Sequence, residues 1–251
     1  MPRSETDRPT APEPRQRWRL VVARARDAPA ATQRETSEAW EAAIEDSGLP
    51  VVRTPTAADG PGRPRITFGA PSVAGIAAER ELIDIVLFER LPAWIVREGL
   101  DGHLPPGWRL IDLHDVWLAG PPLAGQVAAA DYRITLDLGV EPGLVARAAA
   151  TIRAASALPR QREKGSGLVR YDLRPLLLSV VVAEDGPPVV VNARTRIHPQ
   201  LGTGRPEEVI AALADAASTS LSIASIVRER LIVAEDLPDD PVGDAPTIDR
   251  S

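Results

Sequence analysis

Between Arg17 and Glu235 the apolar residues run through one order of elements twice, and this repetition constrains the fold more than any motif does. "RWRLVVAR" (17–24) opens the first round as a strand. Trp18, Leu20 and Val22 share one face of it, because successive strand side chains point to opposite sides. Thr32 and Glu35 then stand at the T-x-x-E spacing of a capping box, in which each side chain satisfies a backbone amide at a helix start. Trp40, Ala43 and Ile44 give the helix an i, i+3, i+4 stripe, and Gly48 supplies its stop. After the loop "TPTAADGPGRP" come two strands, "RITFGA" and "ELIDIVLFE", the second apolar on both faces as in a central strand. Pro92 starts a second helix, and "WRLIDLHDVWL" closes the round as a strand.

"AGPPLAGQ" (119–126) interrupts the pattern, and the order then recurs. "DYRITLDLG" alternates cleanly, with Tyr132, Ile134, Leu136 and Leu138 on one face. An alanine-rich helix (141–158) aligns Leu144, Ala148 and Ile152. "YDLRPLLLSVVVAE" and "PPVVVNARTRIH" read as strands joined by "DGPP", "RPEEVIAALADAAS" as a helix, and "ASIVRERLIVAE" as the last strand. Each round is β-α-β-β-α-β, so the expected fold is α+β: two tandem ferredoxin-like halves with antiparallel sheets. The expected boundaries are a disordered tail at 1–16, halves at 17–120 and 127–234, a linker at 121–126, and an acidic disordered tail at 235–251. In such units helices cover one sheet face, and two copies side by side can build a cleft between their open faces.

Composition removes several classes of function. There is no cysteine, which excludes disulfides, thiolate metal sites and cysteine nucleophiles. No run approaches the roughly 18 apolar residues of a membrane span, and the N-terminus lacks an apolar signal core, so the expected residence is cytoplasmic with no membrane partner. The net charge of -6 sits mostly from Glu235 onward, which leaves the rest of the chain nearly neutral. Lys164 is the only lysine; arginine supplies all the other basic side chains, a bias that follows coding composition more than nucleic-acid binding.

Conventional catalytic motifs are missing: no G-x-S-x-G, S-x-x-K, H-E-x-x-H, Walker loop or Rossmann fingerprint. His103, His114 and His198 form no pair at metal-binding spacing, so neither a metal site nor a cofactor is expected. His114, followed by Asp115, is an acid–base candidate. The basic stretch "PRQREKGSGLVRYDLRP" carries Arg160, Arg162, Lys164, Arg170 and Arg174 in what reads as a helix-to-strand connection, suited to phosphate contact or simply to solvation. On "VVVNARTRIH", period two puts Asn192, Arg194, Arg196 and His198 on one face, the one that helices would leave open. No aromatic residue lies there, so phosphate contact fits better than base stacking, and pairing of these arginines with Asp or Glu of a neighbouring strand fits equally well. In "GTGRPEEV", Pro206 at the first helical position and Glu207 and Glu208 behind it already complement the helix dipole. The glycines thus read as turn-makers, and Arg205, with Thr203 beside it, is the residue placed for a ligand.

The segments "PRITFGAP", "ELIDIVLFE", "LPPGWRLID", Tyr171–Pro175 ("YDLRP") and Gly202–Glu208 ("GTGRPEE") together resemble the radical SAM-linked family, a bacterial domain of unknown function, over about residues 17–215. The resemblance implies a domain fused to, or encoded beside, a B12-binding radical SAM protein, in a neighbourhood of ribosome and RNA-processing genes. Family members carry histidines where this chain has "ATQRETSEAW" and "ADGPGRP", so any function of those histidines is lost here or resides in the partner. Without cysteine the chain cannot hold the radical SAM cluster, and the partner is a separate chain.

The favoured expectation is an accessory or substrate-binding protein for that enzyme, presenting RNA through Arg170, Tyr171, Arg174, Arg194, Arg196, Thr203 and Arg205. One alternative is a nucleotide- or RNA-directed enzyme in the cleft between halves, with Asp172 as base or nucleophile and Arg174 and Arg205 clamping phosphate. The other is an interaction module whose motifs serve folding alone.

Overall fold

The computed structural model describes residues 12–54, 62–71, 73, 75–164, 167–183 and 187–237. The readings of both tails outside 12–237, of most of the "TPTAADGPGRP" loop, of Gly165-Ser166 and of the first part of the "DGPP" turn fall outside them. The first round runs β1 (Gln16–Arg24), α1 (Gln33–Asp46), the two-residue strands β2 (Arg53–Thr54) and β3 (Arg63–Pro64), β4 (Ile66–Phe68), β5 (Ala77–Leu87), α2 (Ala93–Leu100) and β6 (Trp108–Val116). A helical turn, α3 (Leu123–Gln126), leads into the second. That round is β7 (Val127–Leu136), α4 (Pro142–Ala154), β8 (Pro159–Lys164), β9 (Gly167–Asp172), β10 (Leu177–Ala183), β11 (Val190–His198), the short β12 (Gly202–Thr203), α5 (Pro206–Ala217) and β13 (Ile223–Val233).

The result is a mixed α+β protein on one large, mostly antiparallel sheet. In the first round the strand order is β4-β5-β1-β6, and in the second it is β10-β11-β7-β13, with every neighbour within a round antiparallel. The halves were expected to carry separate sheets. They lie edge to edge instead, because β13 pairs in parallel with β5 at Val227–Ala77 and Arg228–Ala78, which fuses nine strands into one sheet. The physical reason is local. Arg228, buried at that seam, donates to both carboxylate oxygens of Glu81 and to the carbonyl of Pro71, so a charge from each half is neutralised only across the join.

Helices cover one face. Trp40 and Ile44 of α1 and Val96 and Leu100 of α2 pack on Trp18, Leu20, Val22, Ile83 and Ile85. Val145, Ala148 and Ile152 of α4 and Val209, Ile210 and Leu213 of α5 pack on Tyr132, Ile134, Leu136, Val191 and Ala193. Each large side chain so buried stabilises the fold by about 1.5–3 kcal/mol. The capping box forms as its spacing predicts: Glu35 N donates to Thr32 Oγ1, and Thr32 N donates to the Glu35 carboxylate at 2.7 Å. Gly48 follows α1 at φ +67°, where a side chain is strained.

Two segments differ from the sequence reading. The proline- and glycine-rich 121–126 stretch, read as a linker, contains α3, whose Leu123 is fully buried in the core of the second half. The basic stretch read as a connection is the β8–β9 hairpin, a two-stranded sheet of its own. After it "RPL" winds into a single 3-10 turn (Arg174–Leu176) before β10, because Pro175 cannot donate to a sheet ladder.

Candidate functional site

The face of the sheet opposite the helices is polar in the second half. On β11 the expected alternation holds: Val191, Ala193 and Thr195 are buried, while Asn192, Arg194 and Arg196 look out. Asp131 and Arg133 of β7 lie opposite Arg194 and Asn192 in register. Asp131 binds Arg194 through both carboxylate oxygens (2.7 and 3.0 Å) and also accepts from Arg230 of β13 at 2.8 Å. Burial by itself would raise the Asp131 carboxyl, but hydrogen bonds and charge from Arg194 and Arg230 outweigh it and hold it below the ordinary carboxylate value. Arg194 is raised in turn, mainly by its hydrogen bond to Asp131. Arg133 bridges Glu229 of β13 and Glu79 of β5, so the network crosses the join between halves. Sequence reading missed Asp131, Arg133, Glu79, Glu229 and Arg230, although the alternation of "DYRITL" already set Asp131 and Arg133 opposite Tyr132 and Ile134.

The two short motifs that carry the family resemblance are packed into one another. Gly204 N donates to the Arg196 carbonyl, its own carbonyl accepts from Thr195 Oγ1 at 2.9 Å, and Arg196 Nε donates to the Pro175 carbonyl. A Cβ at Gly204 would lie 2.8 Å from both the Leu176 carbonyl oxygen and Thr195 Cβ, so a glycine is needed for this approach. The "YDLRP" turn is therefore seated on the "GTGRP" turn.

Within this junction the expected ligand residues take different parts. Arg174 is spent on the backbone: Nε donates to the Ala155 carbonyl and Nη1 to the Leu177 carbonyl. Asp172 Oδ1 accepts the backbone amides of Leu158 (2.7 Å) and Arg174 (2.9 Å), which makes it a clasp at the base of the hairpin. Tyr171 packs on the core of the second half. Thr203 is exposed on β12, and Arg205 is the exposed N-cap residue of α5, ahead of Pro206 at the first helical position. Arg170 is exposed on β9. Neither Arg170 nor Arg205 makes a side-chain hydrogen bond or ion pair with a described residue. The structure thus gathers Arg174, Arg196 and Arg205 about one turn pair, puts Arg194 in the sheet network, and leaves Arg170 on the hairpin.

That hairpin is an arm. Every residue of β9 from Gly167 to Arg170 is exposed, including the apolar Leu168 and Val169. Its base is held by the Asp172 clasp and by Arg160, which pairs with Asp215 of α5. The histidines stand apart from it. His114 is exposed on β6, 3.6 Å from Asp112, while Asp115 points to the other face and accepts from Gln16 at 2.9 Å, so His114 and Asp115 do not form a pair. His198 Nδ1 accepts the amides of Gln200 and Leu201 and shapes the turn into β12. Among the described residues no group of three or more His, Asp or Glu is placed to hold a metal ion, and no helix is long and apolar enough to cross a membrane.

Comparison with known proteins gives a family and no activity. No curated protein matches the chain. Among solved structures it is similar to a chain of a Cbf5–Nop10–Gar1 complex, with a TM-score of 0.45 and 8% identity over 84% of this chain. It spans about half (49%) of the length of that chain. A family model matches residues 17–209, from the first strand to the opening turn of α5 and across both signature turns, so the chain belongs to the family described as an uncharacterized protein conserved in bacteria (DUF2344).

Proposed function

We propose that the protein is a non-catalytic accessory subunit that binds RNA along the β8–β9 arm and offers it to a separate, cobalamin-binding radical SAM enzyme in the cytoplasm. The observation that carries this reading is the arm itself: a hairpin with a fixed base whose β9 strand is exposed from Gly167 to Arg170, the Arg170 guanidinium being left uncompensated among the described residues. Arg205 supplies a second such cation at the signature turn. Free guanidinium groups contact phosphates, and such contacts position a strand without reading its sequence. The partner is proposed from the resemblance of the signature segments, and each round is read as a ferredoxin-like unit on the support of its strand order. The use of Asp172 as a backbone clasp favours the accessory role over a reaction at that carboxylate. Affinity purification of the full chain from its native host tests the proposal: a radical SAM protein and RNA should elute together with it, and recovery of neither overturns it.

A further inference from the structure

Between β1, the 117–126 connection and the end of β13 lies a hollow of about 560 Å³. That is within the range of about 300–1,000 Å³ usual for small-molecule sites. Its lining comes from β1, the end of β6, the 117–126 connection, the end of β13 and the two residues after it, so both halves contribute. Arg17 and Arg19 line it, and each is about nine-tenths buried. The two share one carboxylate: Arg19 holds Asp84 at 2.8 and 3.1 Å, whereas Arg17 Nε is 3.6 Å from it. Arg17 Nη1 donates to the carbonyls of Gly120 and Pro121, but its buried Nε has no hydrogen-bond partner. Two buried cations against one anion leave a positive charge that is costly unless another anion joins them.

An aromatic surface stands beside this charge. Trp117, which also lines the hollow, is 75% exposed. Gly120 separates it from Arg17: a Cβ there would lie 3.0 Å from Arg17 Nη2 and 3.4 Å from Trp117 Cε3. The missing side chain keeps guanidinium and indole open to one space. We infer that the hollow binds a nucleoside monophosphate, with the phosphate on Arg17 and Arg19 and the base laid on Trp117. The inference does not rest on the RNA-binding arm. A free nucleotide and the 5′-phosphorylated end of a strand share this chemistry.

Titration of the full chain with AMP, adenosine, inorganic phosphate and a 5′-phosphorylated trinucleotide, read by calorimetry and tryptophan fluorescence, tests it. AMP should saturate, with adenosine and phosphate each about tenfold weaker or more, since each keeps only one of the two contacts. Trp117→Ala should weaken AMP about tenfold with the melting temperature unchanged, because the ring is exposed. Glu235→Gln, which removes a carboxylate from the hollow's rim, should tighten AMP. Arg170→Ala should leave AMP binding intact, which separates this site from the arm. A trinucleotide that binds better than AMP marks strand ends as the source, and one that binds worse marks free nucleotide. AMP binding no tighter than both fragments, or undiminished in Trp117→Ala, overturns the inference.

Discussion

Removing the Glu81 carboxylate should weaken the whole fold, because the pair it forms with Arg228 closes the join between the halves. Arg228 is 5% exposed and Glu81 4%, and the backbone pairing of β13 with β5 extends over two residue pairs. Burial alone would lower the Arg228 pKa, yet the charge of Glu81 outweighs it and leaves the guanidinium raised and charged. Glu81→Ala therefore strands a buried cation, at a cost of about 3–5 kcal/mol. For a chain of this size each kcal/mol shifts the melting temperature by about 2–4 °C, so a fall of roughly 10 °C is expected. The double change Glu81→Leu, Arg228→Met removes both charges and restores apolar volume. It still leaves the Pro71 carbonyl without its two donors, at about 1–3 kcal/mol, so it should recover part of the loss, about half at mid-range values. Urea and thermal unfolding of the single and double variants give both numbers. A single change costing under about 1 kcal/mol, or a double variant no better than the single, refutes the reasoning.

Further tests address other elements. Asp131 is held below its ordinary value in the folded state, so the unfolded chain takes up a proton first; stability is present above the unfolded value of about 3.9 and is lost as pH falls through the folded one. Asp131→Asn should flatten part of the acid limb in urea midpoints measured between pH 2 and 6. Gly204→Ala should cost about 1–3 kcal/mol in urea unfolding, since its Cβ meets the Leu176 carbonyl and Thr195. Thr32→Ala should cost about 1 kcal/mol through loss of the capping box.

Elements with strong local chemistry were legible in the sequence. The capping box at Thr32, the stripe of Trp40, Ala43 and Ile44, and the two-faced β11 depend on near neighbours, and each stands where its spacing puts it. The seam was not legible, because Arg228 and Glu81 are 147 residues apart and nothing local says that they meet. The arm was hidden by composition. "PRQREKGSGLVRYD" is too polar to read as strands, since a strand exposed as β9 is from Gly167 to Arg170 needs no apolar face to announce it. Arg17 and Arg19 escaped notice for the opposite reason. They alternate with Trp18 and Leu20 as solvent-facing residues do, yet the 117–126 connection covers them. Of the candidate site, the two signature turns were found, but their mutual packing was not, and Arg174 and Asp172 proved to be bound to backbone groups.

The claim that the arm and the signature turn bind RNA is tested most directly by the salt dependence of that binding. Fluorescence anisotropy of a labelled single-stranded RNA, titrated with the full chain at several salt concentrations, gives the slope of log K against log salt. Each phosphate contact on a single strand contributes about 0.7 to that slope, so Arg170→Ala with Arg205→Ala should reduce it by about 1.4 and weaken binding at every salt concentration. An unchanged slope and affinity in the double variant, or no RNA binding by the parent chain, contradicts the account.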